Sequence, residues 1–201
     1  MDTTLWSGLM GLIGALMGGA ATYLVGIKAV SSQNERDRNA DAAEVRATLR
    51  AIRDEIKVLS EVHLAAGGGM ISAAPDDSPI AILYPISNHY FTAFEANAAK
   101  IGKVEDEELR TLVVTAYIHF KSLVDTVGLN NHLIQRLELA EAAHRSAPDA
   151  ATGNALNESL LAWQQAADYA PCLKASNARA MKSGADLLVK IDQWLSNLPA
   201  K

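Results

Sequence analysis

The chain has 201 residues, a formal net charge of -5 and an apolar fraction of 49%. This length allows one membrane span and one soluble domain with a single hydrophobic core. Aromatic residues make up only 5% of the chain and alanine is abundant, a balance that favours packed helices over sheets. The acidic charge balance argues against a nucleic-acid partner, because such proteins need a dense basic face to displace counterions from phosphates.

The first apolar segment predicts a transmembrane helix. Residues 5–27 carry no charged side chain. At about 1.5 Å per residue, a helix of this length crosses a hydrocarbon core of about 30 Å. Trp6 and Tyr23 lie near its two ends, where interfacial aromatic side chains belong. We therefore expect a transmembrane anchor over residues 1–30 and a cytoplasmic helical domain over residues 31–201.

The charges that flank the segment predict its orientation. The N-terminal tail holds Asp2 and no lysine or arginine, whereas Lys28, Arg36 and Arg38 follow the span. Because basic residues stay on the cytoplasmic side, we expect a single-pass protein of the bacterial inner (plasma) membrane with its N-terminus outside. A cleavable signal peptide is the alternative, since residues 18–21 are small, but it would need a basic N-terminal region and a shorter apolar core.

Small residues form one stripe along the predicted span. They recur at alternating steps of four and three residues: Ser7, Gly11, Gly14, Gly18, Ala21 and Val25. Because lipid tails are as apolar as leucine, membrane helices associate by close backbone approach, which small residues permit. The stripe predicts a homo-oligomer or docking on another membrane protein. Glycine is also common in membrane helices in general, and this is the alternative explanation.

Apolar residues at helical spacing predict the soluble part. The first helix continues out of the membrane with a stripe of Val45, Leu49, Ile52, Ile56 and Leu59. The glycines at 67–69 end it, and a short helix follows over residues 87–101 after an irregular loop. The next helix starts near Glu105 with the most regular stripe of the chain, which consists of Leu109, Leu112, Ala116, Phe120, Leu123, Val127, Asn130, Ile134 and Leu137.

The last helix is expected from Asn154 to the C-terminus, and Pro171 is expected to kink or split it. The residues predicted to face inward are Leu156, Leu160, Trp163 and Ala167. Cys172, the only cysteine, is expected to be a small buried apolar residue. The expected fold is therefore all-α, with an N-terminal transmembrane helix followed by an antiparallel, coiled-coil-like bundle of three long helices and one short helix.

No enzyme or metal motif is present. The patterns GxxxxGK, GxSxG and HExxH do not occur, and no two of the five histidines have the spacing that places a ligand pair on one helix face. Asn130 puts a polar side chain into an apolar stripe, which can fix helix register or oligomeric state, and with Asn131 it is a candidate for lining a groove. We expect no catalytic residue, no metal and no cofactor.

Residues 84–134 resemble a pattern found in uncharacterised bacterial proteins with an N-terminal membrane helix and a helical cytoplasmic tail. The matching residues are Pro85, Phe94 to Asn97, Ile101, Gly102, Glu108, Leu109, Tyr117, Asn130 and Asn131. The resemblance covers about a quarter of the chain. It implies an anchor and a helical domain in a bacterial or phage context, and it implies no activity.

These patterns predict a membrane-tethered, non-enzymatic interaction or scaffold module. Its expected partners are the lipid bilayer and either further copies of the chain or another membrane protein. The alternative is a membrane-perturbing or pore-forming effector assembled through the glycine-rich helix. Leakage of ions or dye on expression would favour that alternative, and harmless expression of a stable oligomer would count against it.

The glycine stripe yields a direct prediction. Replacing Gly14 and Gly18 together with leucine should weaken association of the span in a membrane reporter assay, because the added side chains keep the two backbones apart. Replacing Ile13 and Met17 with leucine, on the lipid-facing side, should leave the signal unchanged. Equal signals from the two double variants would show that the stripe of small residues does not mediate association of the span.

Overall fold

The structure is a computed structural model that describes residues 3–85, 87, 90–146 and 152–197, with only the backbone described for residues 3–18, 20, 21 and 152. The helices are α1 (Thr3–His63), α2 (Gly69–Ala73), α3 (Thr92–Ile101), α4 (Glu107–Ser146) and α5 (Thr152–Ser196), with a π-helical turn, Leu64–Gly68, between α1 and α2. No strand occurs among the described residues. The all-α expectation is confirmed.

Contacts within the chain divide it after Val45 into two compact units. In the first unit the chain is helical from Thr3 onward. The second unit, residues 46–201, is called the helical domain below. It contains the C-terminal part of α1 and all the other helices.

The end of α1 follows the sequence prediction. Leu49, Ile52 and Ile56 are fully buried, so the apolar stripe of this helix faces the core of the helical domain. The helical path breaks at Gly67, whose φ of 119° lies in the left-handed region that side chains with a Cβ rarely adopt. The chain therefore turns away from α1 where the run of glycines predicts that it should.

The stripe predicted for α4 is also confirmed, since eight of its nine members are buried and Leu112 is half-buried. Two polar pairs show that α4 and α5 run in opposite directions. Near the start of α4, Asp106 forms an ion pair of 3.5 Å with Lys190, close to the end of α5. Near the other end, Arg136 donates a hydrogen bond of 2.9 Å to Gln165.

Among the residues whose side chains are described, α4 is also the one helix that is long and apolar enough to cross a membrane. Its most apolar stretch of 18 residues has a mean hydropathy of 1.3, and 39% of that stretch is buried inside the protein. The core helix of a soluble domain has the same properties. The apolar stripe of α4 is buried in the helical domain, whereas Val114, Ile118 and Leu129 of the same helix are 44%, 59% and 46% exposed.

The first half of α5 differs from the prediction. Leu156, Leu160 and Trp163 were expected to face inward, but they are 41%, 57% and 40% exposed. Ala167, the fourth residue of that prediction, is buried, and the rest of the buried side of this half consists of Ala162, Ala166 and Ala170. Alanines let the backbones of two helices approach closely, so α5 turns this side toward the core and leaves its leucines outside.

One further expectation for α5 is wrong, and of the two alternatives given for Pro171 the split is wrong. Cys172 is exposed, because Ala170 and Leu173 on either side of it take the inward positions. Pro171 lies inside one continuous helix that runs from Thr152 to Ser196, so it does not split α5. A proline lacks the backbone N–H that would bind the carbonyl oxygen four residues earlier, and the helix continues without that one bond.

The start of α3 is fixed by a carboxylate from another helix. Glu55 on α1 accepts hydrogen bonds from the backbone N–H groups of Ala93 (2.7 Å) and Phe94 (3.1 Å). The first N–H groups of a helix have no partner within it, so an external carboxylate stabilises this end. This explains why α3 begins at Thr92 rather than at the expected residue 87.

The same carboxylate accepts a hydrogen bond of 2.5 Å from the hydroxyl of Tyr117 on α4. Burial and the neighbouring carboxylate raise the pKa of Tyr117 well above its usual range. The hydroxyl therefore stays protonated and remains a donor wherever the protein is folded. The ring of Phe94 stacks on that of Tyr117 with 4.0 Å between the ring centres. Glu55 thus links α1, α3 and α4.

Loss of this carboxylate should destabilise the helical domain. We expect Glu55→Ala to lower the free energy of unfolding by about 2–3 kcal/mol, since several donors lose their acceptor. Tyr117→Phe should cost about 1 kcal/mol, because it removes one donor and preserves the ring. Thermal unfolding of the full chain in detergent, followed by circular dichroism, measures both values.

The control is Glu61→Ala, because Glu61 is an exposed residue of the same helix whose ion pair with Lys57 is long, at 4.0 Å. Exposed pairs of this kind contribute little, so the change should stay within about 0.5 kcal/mol. If Glu55→Ala behaves like Glu61→Ala, Glu55 does not determine where α3 lies.

Candidate functional site

Asn130 and Asn131 of α4 bind an irregular segment that precedes α3. We call this segment the strap and define it as residues 80–85. The side chain of Asn131 accepts a hydrogen bond from the N–H of Tyr84 (3.0 Å) and donates one to the C=O of the same residue (2.7 Å). The amide nitrogen of Asn130 donates to the C=O groups of Ile80 (3.1 Å) and Ile82 (3.3 Å). Two adjacent asparagines thus satisfy backbone groups that have no helix or sheet to pair with.

The position of Asn130 explains why a polar residue interrupts the α4 stripe. Its side chain is buried between Leu123 and Leu137 of the same stripe, where it reaches the strap directly. Its amide oxygen is buried and accepts no hydrogen bond from the protein. An unsatisfied buried polar atom costs about 1–3 kcal/mol. The two hydrogen bonds that the amide nitrogen of Asn130 donates to the strap offset this cost.

An apolar cavity of about 50 Å³ lies under this segment. The residues that line it include Leu59, His63, Tyr84, Phe91, Phe120 and Val127. Pockets for small-molecule ligands measure about 300–1,000 Å³, so the cavity has room for only one or two small groups. Its walls are almost entirely apolar, and His63 and the tyrosines bring the polar atoms.

His63 belongs to a polar network that positions α2. Its Nε2 donates to the side-chain oxygen of Asn177 over 2.6 Å, and the amide nitrogen of Asn177 donates to Ser72 over 2.9 Å. The imidazole lies directly on Gly68, where a Cβ would come within 2.4 Å of Nε2. The ring nitrogen that faces Asn177 is therefore committed to a structural hydrogen bond.

A lysine on α5 holds the start of the loop that precedes the strap. Lys174 donates hydrogen bonds to the C=O of Ala74 and to the carboxylate of Asp76. The ammonium group lowers the pKa of the Asp76 carboxyl. Together with the asparagines, this lysine attaches the segment between α2 and α3 at two places. Glu55 and Lys174 were not singled out from the sequence, because their partners are backbone atoms and residues far away in the chain.

The other predicted positions whose side chains are described do not form a site. Gly11, Gly14, Gly18 and Ala21 lie outside the residues whose side chains are described. His132 is exposed, and the Nδ1 atoms of His119 and His144 are buried without a partner in the protein. Within the described ranges, no three histidine, cysteine or acidic side chains lie together as a metal site would require.

The asparagine attachment predicts a local effect. Asn131→Ala should speed hydrogen exchange of the Tyr84 amide about tenfold, because that N–H loses its acceptor and the local opening free energy falls by about 1.4 kcal/mol. Amide exchange of the full chain, read by mass spectrometry on peptides that contain residue 84, measures this change. Asn157→Ala, at an exposed asparagine on α5, is the control and should leave it unaltered. An unchanged rate in Asn131→Ala would show that the side chain does not hold the strap.

Comparison with known proteins assigns no family to this arrangement. No protein-family model, no curated protein and no solved structure matches the chain. The role of the helical domain is therefore inferred from its own residues.

Proposed function

We propose that the protein is a single-pass membrane-tethered interaction or scaffold module without enzymatic activity. The observation that carries this proposal is the exposure of large apolar residues at the end of the charge-free segment. Tyr23, Leu24, Val25 and Ile27 at this end are each more than half exposed on α1, and so is Val30 just beyond Lys28. A helix that presents such side chains on successive positions suits a hydrocarbon or interfacial environment better than water.

The helical domain supports the second half of the proposal. Arg53 of α1 donates to Asp192 of α5 over 2.5 Å, and Thr48 of α1 lies 3.4 Å from Asn97 of α3. With the opposed directions of α4 and α5, these pairs favour an antiparallel bundle of three long helices and one short helix. The polar side chains described above bind backbone groups of the same chain, a use that serves shape rather than catalysis.

The same proposal includes topology and assembly. The N-terminus lies outside the bacterial inner membrane, the helical domain lies in the cytoplasm, and the stripe of Gly11, Gly14, Gly18 and Ala21 brings the span against another copy or another membrane protein. The bacterial context comes from the resemblance of residues 84–134. Such a module would hold partners at the membrane surface.

A pair of topology reporters tests the proposal. Alkaline phosphatase fused after Lys201 should be inactive, and green fluorescent protein at the same place should be fluorescent, because the C-terminus is cytoplasmic. The fluorescent fusion should stay in the membrane pellet after alkaline extraction. A variant that lacks residues 5–27 is the control and should move to the soluble fraction. Phosphatase activity, or extraction of the intact fusion at high pH, would contradict the proposal.

A further inference from the structure

The strap is bound to α4 through its backbone. Asn130 and Asn131 make four hydrogen bonds with it, and every strap atom in these bonds belongs to the main chain. A further hydrogen bond lies within the strap and is local, from the N–H of Ile82 to the C=O of Ile80 over 2.8 Å. A short peptide therefore contains every group that the two asparagines bind.

The side chains of the strap alternate between inward and outward positions. Ile80 is buried, and Ile82 and Tyr84 are half-buried. The residue that follows each of them is exposed, as Leu83 is at 50%. Release of the strap would thus uncover one fully buried side chain, whereas release of a long helix would uncover a whole apolar stripe.

The two ends of the strap are fixed independently of it. Before it, Lys174 of α5 binds Asp76, and after it Glu55 of α1 binds the first N–H groups of α3. Pro79 directly before the strap and Pro85 at its end have restricted backbone angles. The strap can therefore leave α4 as a unit while the helices and both ends of the connection stay attached.

Two features show that the strap fills its site on α4 incompletely. The cavity of about 50 Å³ lies between Tyr84 and the side chains of α1 and α4, and atoms that border a void lose packing contacts. The amide oxygen of Asn130 is buried without a donor among the described residues, whereas that of Asn131 accepts the N–H of Tyr84. A segment that filled the cavity and offered an N–H to Asn130 would bind more tightly than the strap.

We propose that the strap is an autoinhibitory contact that occupies the site of a peptide segment from a partner protein. The site defines that segment: it is non-helical, has apolar side chains at alternate positions and donates a backbone N–H to each asparagine. It is also uncharged, since no acidic residue, lysine or arginine is among the described residues that line the cavity. The strap competes effectively because it belongs to the same chain. The proposal rests on the function proposed above, since an interaction module needs a site for a partner.

Binding of the strap sequence as a separate peptide tests the proposal. The probe is a capped peptide with the sequence of residues 78–85, labelled with a fluorophore through a glycine and serine extension. The protein is the full chain in lipid nanodiscs, and empty nanodiscs are the blank. Ile80→Asp releases the competing strap, because a carboxylate does not stay in a buried apolar position. Ala81→Asp is the matched control, since it adds the same charge at the exposed neighbouring residue.

Fluorescence anisotropy should give a dissociation constant for the Ile80→Asp chain at least about tenfold lower than for the unaltered and Ala81→Asp chains, because competition is lost. In the Ile80→Asp chain, Asn131→Ala should weaken binding about tenfold, since two hydrogen bonds to the peptide backbone are removed. Asn157→Ala, at the exposed asparagine on α5, should leave binding unchanged.

A pair of modified peptides separates backbone recognition from apolar adsorption. A peptide N-methylated at the position of Tyr84 should bind about tenfold more weakly than one N-methylated at the position of Leu83, because Asn131 accepts the N–H of Tyr84. Both peptides have the same composition and carry the same added methyl group. Equal binding of the two would overturn the proposal.

Three further results would contradict it. The first is the absence of saturable binding to the Ile80→Asp chain. The second comes from a chain in which glycine and serine replace residues 80–85: if this chain and the Ile80→Asp chain both lose helix content in circular dichroism, the strap is a structural part of the domain. The third is a dimer of the unaltered chain that dissociates when the strap is replaced, which would show that the site takes the strap of a second copy.

The result is distinguishable from failure of the proposed function. If the chain is extracted from membranes at high pH but the peptide binds to the Ile80→Asp chain, the tether is wrong and the autoinhibitory contact stands. If the topology reporters behave as expected and no peptide binds, the tether stands and the contact is wrong.

Discussion

The carboxylate of Glu55 sets the arrangement of three helices at once. It projects from α1, accepts the first backbone N–H groups of α3 and accepts the hydroxyl of Tyr117 from α4. A carboxylate at a helix N-terminus is stabilised by the aligned peptide dipoles, and a tyrosine that is buried beside it stays protonated. Because these demands meet at one side chain, a shift of α3 or of α4 would break its bonds to Glu55, and a shift of α1 would break both sets. The aromatic stack between Phe94 and Tyr117 then packs in a fixed place.

The segment between α2 and α3 shows how a helical protein stabilises a connection without regular structure. Its backbone groups cannot pair with a sheet, and leaving them unpaired while partly buried would cost free energy. Side chains from two helices supply partners within the segment: Lys174 from α5, and Asn130 and Asn131 from α4. Glu55 from α1 binds the first N–H groups of α3, where the segment ends. The apolar residues of the segment, such as Ile80, can then be buried. Polar groups inside this domain are thus used to attach one irregular segment.

The sequence predicts those features that depend on local periodicity. The α4 stripe and the break at Gly67 are confirmed because helical spacing and a left-handed φ are properties of neighbouring residues. The start of α3 was wrong, since its position depends on Glu55, which lies far away in the chain. The inward face of early α5 was also wrong, because periodicity identifies an apolar side but not whether another helix covers it. Of the predicted site residues, Asn130 and Asn131 come together on the strap, while the association role of the glycine stripe stays a prediction.

Pro171 lies between the part of α5 that α1 covers and the part that it leaves exposed. The missing N–H weakens the helix at that residue, and bending is least costly there. About 29 Å of helix lie between Pro171 and the start of α5, so a bend of only ten degrees would displace that end by about 5 Å. The proline thus makes a bend here less costly than elsewhere in α5, and the packing of Ala162 and Ala166 holds the end of the helix in place.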